Sequence, residues 1–108
     1  MLTVRILNSP SKGTMRILQR KVCDDLIKEM LQNGKVMAIG LVQGSVADVI
    51  MAADVAEKAS SVEISEINGN CPQHITMLGM FGDVAAVNEA IGAIRKWEKE
   101  DRSKKENN

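Results

Sequence analysis

Three residues of this chain have side chains suited to metal binding or thiol chemistry, and two of the three lie close together. Cys71 follows Asn68-Gly69-Asn70 and precedes Pro72, and His74 comes three residues later. Asn-Gly predicts a tight turn because both residues tolerate positive φ at low cost, and Pro72 has no amide proton to give to a strand ladder. Because free cysteines are usually buried, the role of a thiol at the tip of a turn is the central question of this sequence.

The other two candidates also have ordinary interpretations. Cys23 directly precedes a predicted helix, whose positive end can make a thiol reactive, but a small packed side chain is the simpler interpretation. His74 begins the strand after the turn and is either a second ligand or donor of the site or a polar strand position. The sequence contains no Ser/His/Asp, Cys/His or paired-carboxylate arrangement around a cleft, so we expect no enzyme. A thiol peroxidase at Cys71 would need Cys23 as its resolving cysteine.

Composition restricts the class of protein further. The chain has 108 residues, of which 44% are hydrophobic and only 2% aromatic, so one domain with an aliphatic core is expected. Because single-stranded nucleic acids bind by stacking their bases on aromatic side chains, a chain with so few aromatic residues is not expected to bind them. Two cysteines make no disulfide framework, and no secretory signal or membrane span is visible. We therefore expect a cytoplasmic protein with no nucleic-acid and no membrane partner.

The charged residues are unevenly distributed along the chain. Residues 1–36 contain seven basic and three acidic side chains, residues 37–97 contain three and seven, and residues 98–108 contain four of each. This asymmetry fits a chain whose two parts, or whose copies, lie against each other, although a solvated face also carries such runs.

Hydrophobic periodicity and turn residues predict the secondary structure. In order, we predict a strand Leu2–Leu7, an extended segment Thr14–Lys21, a helix Asp24–Gln32, a strand Lys35–Val42 ended by Gly44, a helix from Val46 to about Ser60, a hairpin Val62–Gly82 and a helix from Val84 to Trp97. The segment Thr14–Lys21 also fits a helix, since Met15, Leu18 and Val22 recur at helical spacing. The helix from Val46 is expected to bury Val46, Val49, Ile50, Ala53 and Ala56. Residues 98–108 lack apolar side chains and form either a solvated helix end or a disordered tail outside the single domain 1–97.

The order of elements predicts an α+β fold. Lys35–Trp97 reads β-α-β-β-α, which lacks only the last strand of a ferredoxin-like unit. The missing strand is most simply supplied by Thr14–Lys21, which would make the chain a circular permutation. We expect an antiparallel sheet with helices on one side, together with an N-terminal hairpin formed by Leu2–Leu7 and Thr14–Lys21.

Several segments carry a family resemblance. Met37-Ala-Ile-Gly-Leu-Val42, the helix with Ala52-Ala53-Asp54 and Glu57-Lys58-Ala59, the glycine-tipped hairpin and Phe81-Gly-Asp-Val-Ala-Ala-Val87 resemble the shell-protein (BMC) domain of bacterial microcompartments over residues 36–97. Residues 2–32 resemble the segment that ordinary members carry at the C-terminus. The chain is thus similar to the circularly permuted shell proteins. It most closely resembles the shell protein of glycyl-radical propanediol compartments, a protein that binds an iron–sulfur cluster.

The resemblance implies a structural shell protein located in a microcompartment shell. It implies a flat cyclic homohexamer whose pore, on the six-fold axis, is lined by Gly69, Asn70, Cys71, Pro72 and Gln73. Lys58 falls on the family's hexamer-edge lysine. The implied partners are copies of the chain, other shell proteins, and encapsulated enzymes or redox proteins.

Six-fold symmetry would place six Cys71 thiols around one axis. Iron–sulfur clusters are held by cysteine thiolates, and a proline directly after a ligand cysteine occurs in bacterial ferredoxin sequences. We therefore expect Cys71 from several copies to bind one cluster, a [4Fe–4S] type, with Gly69, Asn70 and Pro72 in the binding loop, for electron transfer across the shell. The alternatives are a narrow pore without a cluster, and a regulatory module of ferredoxin-like fold that binds a metabolite between subunits of a dimer or trimer.

Overall fold

The computed structural model describes residues 2–69 and 73–106. Its elements are β1 (Thr3–Asn8), α1 (Lys12–Lys21), α2 (Asp25–Gln32), β2 (Ala38–Ser45), α3 (Val46–Ala59), β3 (Glu63–Ile67), β4 (Ile75–Gly82) and α4 (Val84–Glu106). None of the helices within these ranges combines the length and apolarity needed to cross a membrane.

The four strands described form one antiparallel sheet in the order β1-β2-β4-β3. From β2 to α4 the chain follows the predicted β-α-β-β-α path, and β1 lies beside β2, where a ferredoxin-like unit has its last strand. The added strand therefore comes from the N-terminal side, as predicted, but it is Thr3–Asn8 rather than Thr14–Lys21.

The prediction of an extended segment at Thr14–Lys21 is wrong, because these residues belong to α1. The Ser11 side chain caps this helix by accepting a hydrogen bond from the Thr14 amide at 3.2 Å. Helical spacing then places Leu18 and Val22 together in the core, where both are buried. With a helix in this segment, the described residues contain no N-terminal hairpin.

Helices cover both faces of the sheet, which corrects the expectation of helices on one side. Alternate residues of β2 enter two separate clusters: Ala38 and Val42 pack with α3 and α4, whereas Ile39 packs with α1 and α2. A strand that is apolar on both faces must be covered on both faces to be stable. Residues Leu18, Ile27, Leu31 and Phe81 belong to the second cluster.

Strand β2 also runs past Gly44, where the sequence predicted its end. Gly44 pairs with Thr76 of β4, and a Cβ at position 44 would lie 2.7 Å from Cδ2 of Leu2. The glycine therefore leaves room for the buried Leu2 side chain rather than breaking the strand.

The predicted helix starts are confirmed by their caps. Asp24 accepts a hydrogen bond from the Ile27 amide at 3.1 Å, Ser45 from the Asp48 amide at 3.3 Å and Asp83 from the Ala86 amide at 2.7 Å. These contacts are local in sequence, which is why the residue types alone locate them.

The charged segment after Trp97 continues α4 as far as Glu106. Glu98 holds the beginning of this charged segment in place. One of its carboxylate oxygens accepts a hydrogen bond from the Leu2 amide at 2.7 Å, and the other lies 3.8 Å from Arg102. The start of the first strand therefore meets the second half of α4.

Candidate functional site

The hairpin predicted around the Asn-Gly turn is present. Strand β3 ends at Ile67, β4 begins at Ile75, and Ile67 pairs with Met77. Asn70, Cys71 and Pro72 lie outside the described residues. Of the predicted tip, the structure describes Gly69 and Gln73, and both are exposed to solvent.

Backbone contacts hold the base of this tip at both of its arms. On one side the Asn68 amide donates to the Lys21 carbonyl at 2.7 Å, and Val22 forms a bridge with Ile67. On the other side the Val46 amide, at the start of α3, donates to the His74 carbonyl at 3.2 Å. The end of α1 and the start of α3 therefore fix both arms of the turn.

The two remaining chemically capable residues are exposed. His74 lies in the described turn before β4, and Cys23 follows the buried Val22 at the base of the hairpin. The interpretation of Cys23 as a small packed residue is therefore wrong. The helix boundary turns Val22 inward and leaves its neighbour in solvent.

A cleft of about 370 Å³ lies between α3 and the hairpin, next to the tip. It is lined by residues of α3, both strands of the hairpin and the described part of the turn: Val46, Val49, Ile50, Ala53, Glu66, Ile67, Asn68, Gly69, Gln73, Ile75, Thr76, Met77 and Leu78. On the hairpin side of this cleft, Thr76 Oγ1 of β4 donates to Glu66 Oε1 of β3 at 3.4 Å.

The cleft corrects the predicted buried stripe of α3. Val49 and Ala56 are buried as predicted, but Val46 is 37% exposed and Ile50 is 63% exposed. The sequence indicated that some apolar side chains of α3 would be exposed. With Met51, the helix has more apolar side chains than one buried face can hold. The surplus forms an apolar wall beside the tip.

Lys58 lies at the other end of α3, about 18 Å along the helix from Val46 at 1.5 Å per residue. Its Nζ atom is 2.8 Å from Asp54 Oδ2, and both side chains are exposed. The hydrogen bond from Lys58 to Asp54, and then the negative charge of Asp54, raise the pKa of Lys58 above its ordinary value of 10.5.

Within residues 2–69 and 73–106, no three His, Cys, Asp or Glu side chains approach closely enough to hold a metal ion. One chain therefore offers no complete metal site in the part that the structure describes.

Comparison with known proteins gives consistent matches. The model of the BMC domain family matches residues 38–103. No curated protein sequence matches the chain. Among solved structures, the GrpU microcompartment shell protein from Clostridiales bacterium 1_7_47FAA is 36% identical, with a TM-score of 0.64 over 90% of this chain and 92% of that chain. The GrpU shell protein from Pectobacterium wasabiae is 39% identical, with a TM-score of 0.63 over 86% of this chain and 99% of that one.

A more distant structure has the same fold. The trimeric bacterial microcompartment shell protein PduB is 23% identical, with a TM-score of 0.53 over 88% of this chain. The match covers 38% of the PduB chain.

Proposed function

This chain belongs to the BMC domain family of microcompartment shell proteins, and from that premise we propose that it forms a cyclic homohexamer within a bacterial microcompartment shell. The observation that carries the proposal is identity of 36% and 39% to two shell proteins over nearly their whole length. In the ring, residues 69–73 of each copy line a pore on the six-fold axis, and other shell proteins are neighbours in the shell.

We further propose that the chain is circularly permuted relative to ordinary BMC domains. Strand β1 takes the sheet position that follows the last helix in a ferredoxin-like unit, but it comes first in sequence. A permutation requires chain ends that lie close together. The hydrogen bond of 2.7 Å between Leu2 and Glu98 supports this, because it joins the start of β1 to α4.

The donor set around the pore fits an iron–sulfur cluster shared between copies. Cys71 supplies one thiol per chain, so three of six copies would give three thiolates, with the fourth position filled by another ligand. Gly69, Asn70 and Pro72 flank the thiol in sequence, and His74 is an exposed alternative ligand nearby. A cluster bound there supplies a one-electron redox centre for encapsulated redox proteins or enzymes.

The experiment is anaerobic purification followed by iron and sulfide assays and an EPR spectrum. We expect the wild-type oligomer and a Cys23→Ser variant to contain iron and sulfide, and a Cys71→Ser variant to contain neither. An iron-free, colourless wild-type hexamer with reduced Cys71 would instead support a narrow pore without a cluster.

A second candidate function is a regulatory module that binds a metabolite. The cleft of about 370 Å³ beside the tip favours it, because small-molecule sites usually measure about 300–1,000 Å³. Native mass spectrometry distinguishes the two functions. A hexamer supports the shell subunit, whereas a dimer or trimer that gains a small-molecule adduct supports the regulatory module.

A further inference from the structure

We propose that neighbouring copies meet head to tail along the two edges of the sheet, with Arg5 of one copy against Glu63 and Glu66 of the next. This inference rests on the proposed ring and assigns the surfaces that close it. The β3 edge with its adjoining cleft forms one surface, and the β1 edge forms the other.

The sheet has two open edges that differ in chemistry. In the order β1-β2-β4-β3, each outer strand has a single partner strand. The bridge from Val22 covers the outer side of β3 at Ile67, so the outer side of β1 and the outer side of residues 63–66 of β3 lack a neighbouring strand within the described residues. Exposed edges are usually covered or charged because they otherwise pair with other chains. When two different surfaces of identical copies meet, the contact closes into a ring if the rotation allows it.

The register places the two charged groups at matching levels of the sheet. Successive strand pairings put Val4 and Glu66 in one row, and Arg5 and Ser65 in the next row. The level of Arg5 lies between Glu63 and Glu66.

Arg5 and Glu63 share the face of the sheet that contains Ile39 and Phe81, whereas Glu66 lies on the opposite face with Leu78. In a ring whose axis lies at the hairpin tip, one row is at about the same distance from the axis on both edges. Arg5 then reaches Glu63 as a diagonal neighbour on its own face, and Glu66 adds negative charge to the same edge.

The charges on the two edges have opposite signs and remain available. Arg5, Glu63 and Glu66 are exposed. The ion pairs found within residues 2–69 and 73–106 join Lys28 to Asp25, Lys58 to Asp54 and Arg102 to Glu98. The guanidinium of Arg5 donates instead to its neighbour, the Val4 carbonyl, at 3.4 Å. An acidic edge facing a basic residue both orients the copies and favours their association.

Apolar surface lies at both edges on the face of the sheet opposite to Arg5 and Glu63. Ile50, 63% exposed, and Val46, 37% exposed, form the wall of the cleft beside β3. On the β1 edge, Val4 and Ile6 are partly buried and pack against the cluster of α3 and α4, so they lie on the same face as the cleft. The contact can therefore bury aliphatic side chains on one face of the sheet and pair Arg5 with Glu63 on the other.

Charge reversal tests this contact. Arg5→Glu alone and Glu63→Arg/Glu66→Arg alone should each raise, by about tenfold or more, the protein concentration at which half of the chain is hexameric. The triple variant, which reverses both edges, should restore assembly. Arg16→Glu, at an exposed position of α1, is the matched control and should leave the hexamer intact. Native mass spectrometry and light scattering measure the oligomer, and circular dichroism confirms folding.

Ile50→Glu gives a second, independent variant, since this side chain is mostly in solvent within one chain and the variant should still fold. It should also weaken the hexamer. If the wild type is hexameric but none of these variants changes assembly, or the triple variant stays dissociated, the assigned contact is wrong while the ring stands. A wild type that is not a hexamer overturns the proposed function instead.

Discussion

The amide of Asn68 donates a hydrogen bond to the carbonyl of Lys21 at 2.7 Å, so α1 ends directly against the base of the hairpin tip. The next residue, Val22, is 1% exposed and bridges to Ile67. The N-terminal helices thereby support the turn that carries Cys71 in the sequence. Truncating this support should loosen the tip as well as lower stability.

Val22→Ala should lower the free energy of unfolding by about 2 kcal/mol, since it removes two buried carbon atoms and leaves a cavity. Urea unfolding at one fixed protein concentration measures this loss, and hydrogen exchange at the Asn68 amide should become faster. Val84→Ala is the control, because Val84 is 41% exposed; its effect should stay within about 0.5 kcal/mol. Equal losses of unfolding free energy in the two variants would show that the Val22 contact does not support the hairpin tip.

Gly79→Ala should destabilise the sheet by about 1–3 kcal/mol. A Cβ at position 79 would lie 2.7 Å from the Phe81 ring and 2.8 Å from Cδ1 of Ile67, and the fully buried Phe81 has no free space to move into. Gly92→Ala in α4 should have the opposite sign and stabilise by about 1 kcal/mol, because nothing lies within 4 Å and alanine favours a helix. Thermal unfolding of both variants measures this, and an unchanged or higher midpoint for Gly79→Ala would contradict it.

Lys58→Asp should weaken the packing of hexamers into sheets and leave single hexamers intact. Lys58 is exposed at the end of α3 farthest from the tip, so its loss does not affect the contacts near the proposed axis. Electron microscopy of assembled arrays together with native mass spectrometry separates the two levels. Lys28→Asp, at an exposed ion pair of α2, is the control. Ordered arrays formed by Lys58→Asp would show that the lysine is not an edge residue.

The amine of Lys58 should titrate at higher pH than in an Asp54→Asn variant. Asp54 raises the pKa of Lys58 above 10.5 through a hydrogen bond and its charge. A raised pKa means that the small stabilisation from this exposed pair is complete below the unfolded-state pKa and is lost as pH rises through the folded-state pKa. NMR titration of the Lys58 side chain measures the shift. Identical titration curves in the two proteins would show that the pair does not form in solution.

Local chemistry explains what could be predicted. Asp24, Ser45 and Asp83 cap helices through contacts three residues along the chain, so the residue types alone locate these helix starts. The α+β fold followed from these elements, and the match to BMC domain structures confirms it. The segment Thr14–Lys21 was mispredicted because its short apolar pattern fits two periods equally, and the burial of Leu18 under distant strands decides between them.

By itself, the sequence determined the starts of α2, α3 and α4, the aliphatic composition of the core and the place of one thiol in the hairpin turn, because each depends on residue types or on residues close together in the chain. Only the tertiary structure decided that β1 completes the sheet, that helices cover both of its faces, and that Ile50 stands exposed beside the tip. These outcomes depend on pairings between residues tens of positions apart, whose free energy comes from burial shared by several elements and is not encoded in any one segment.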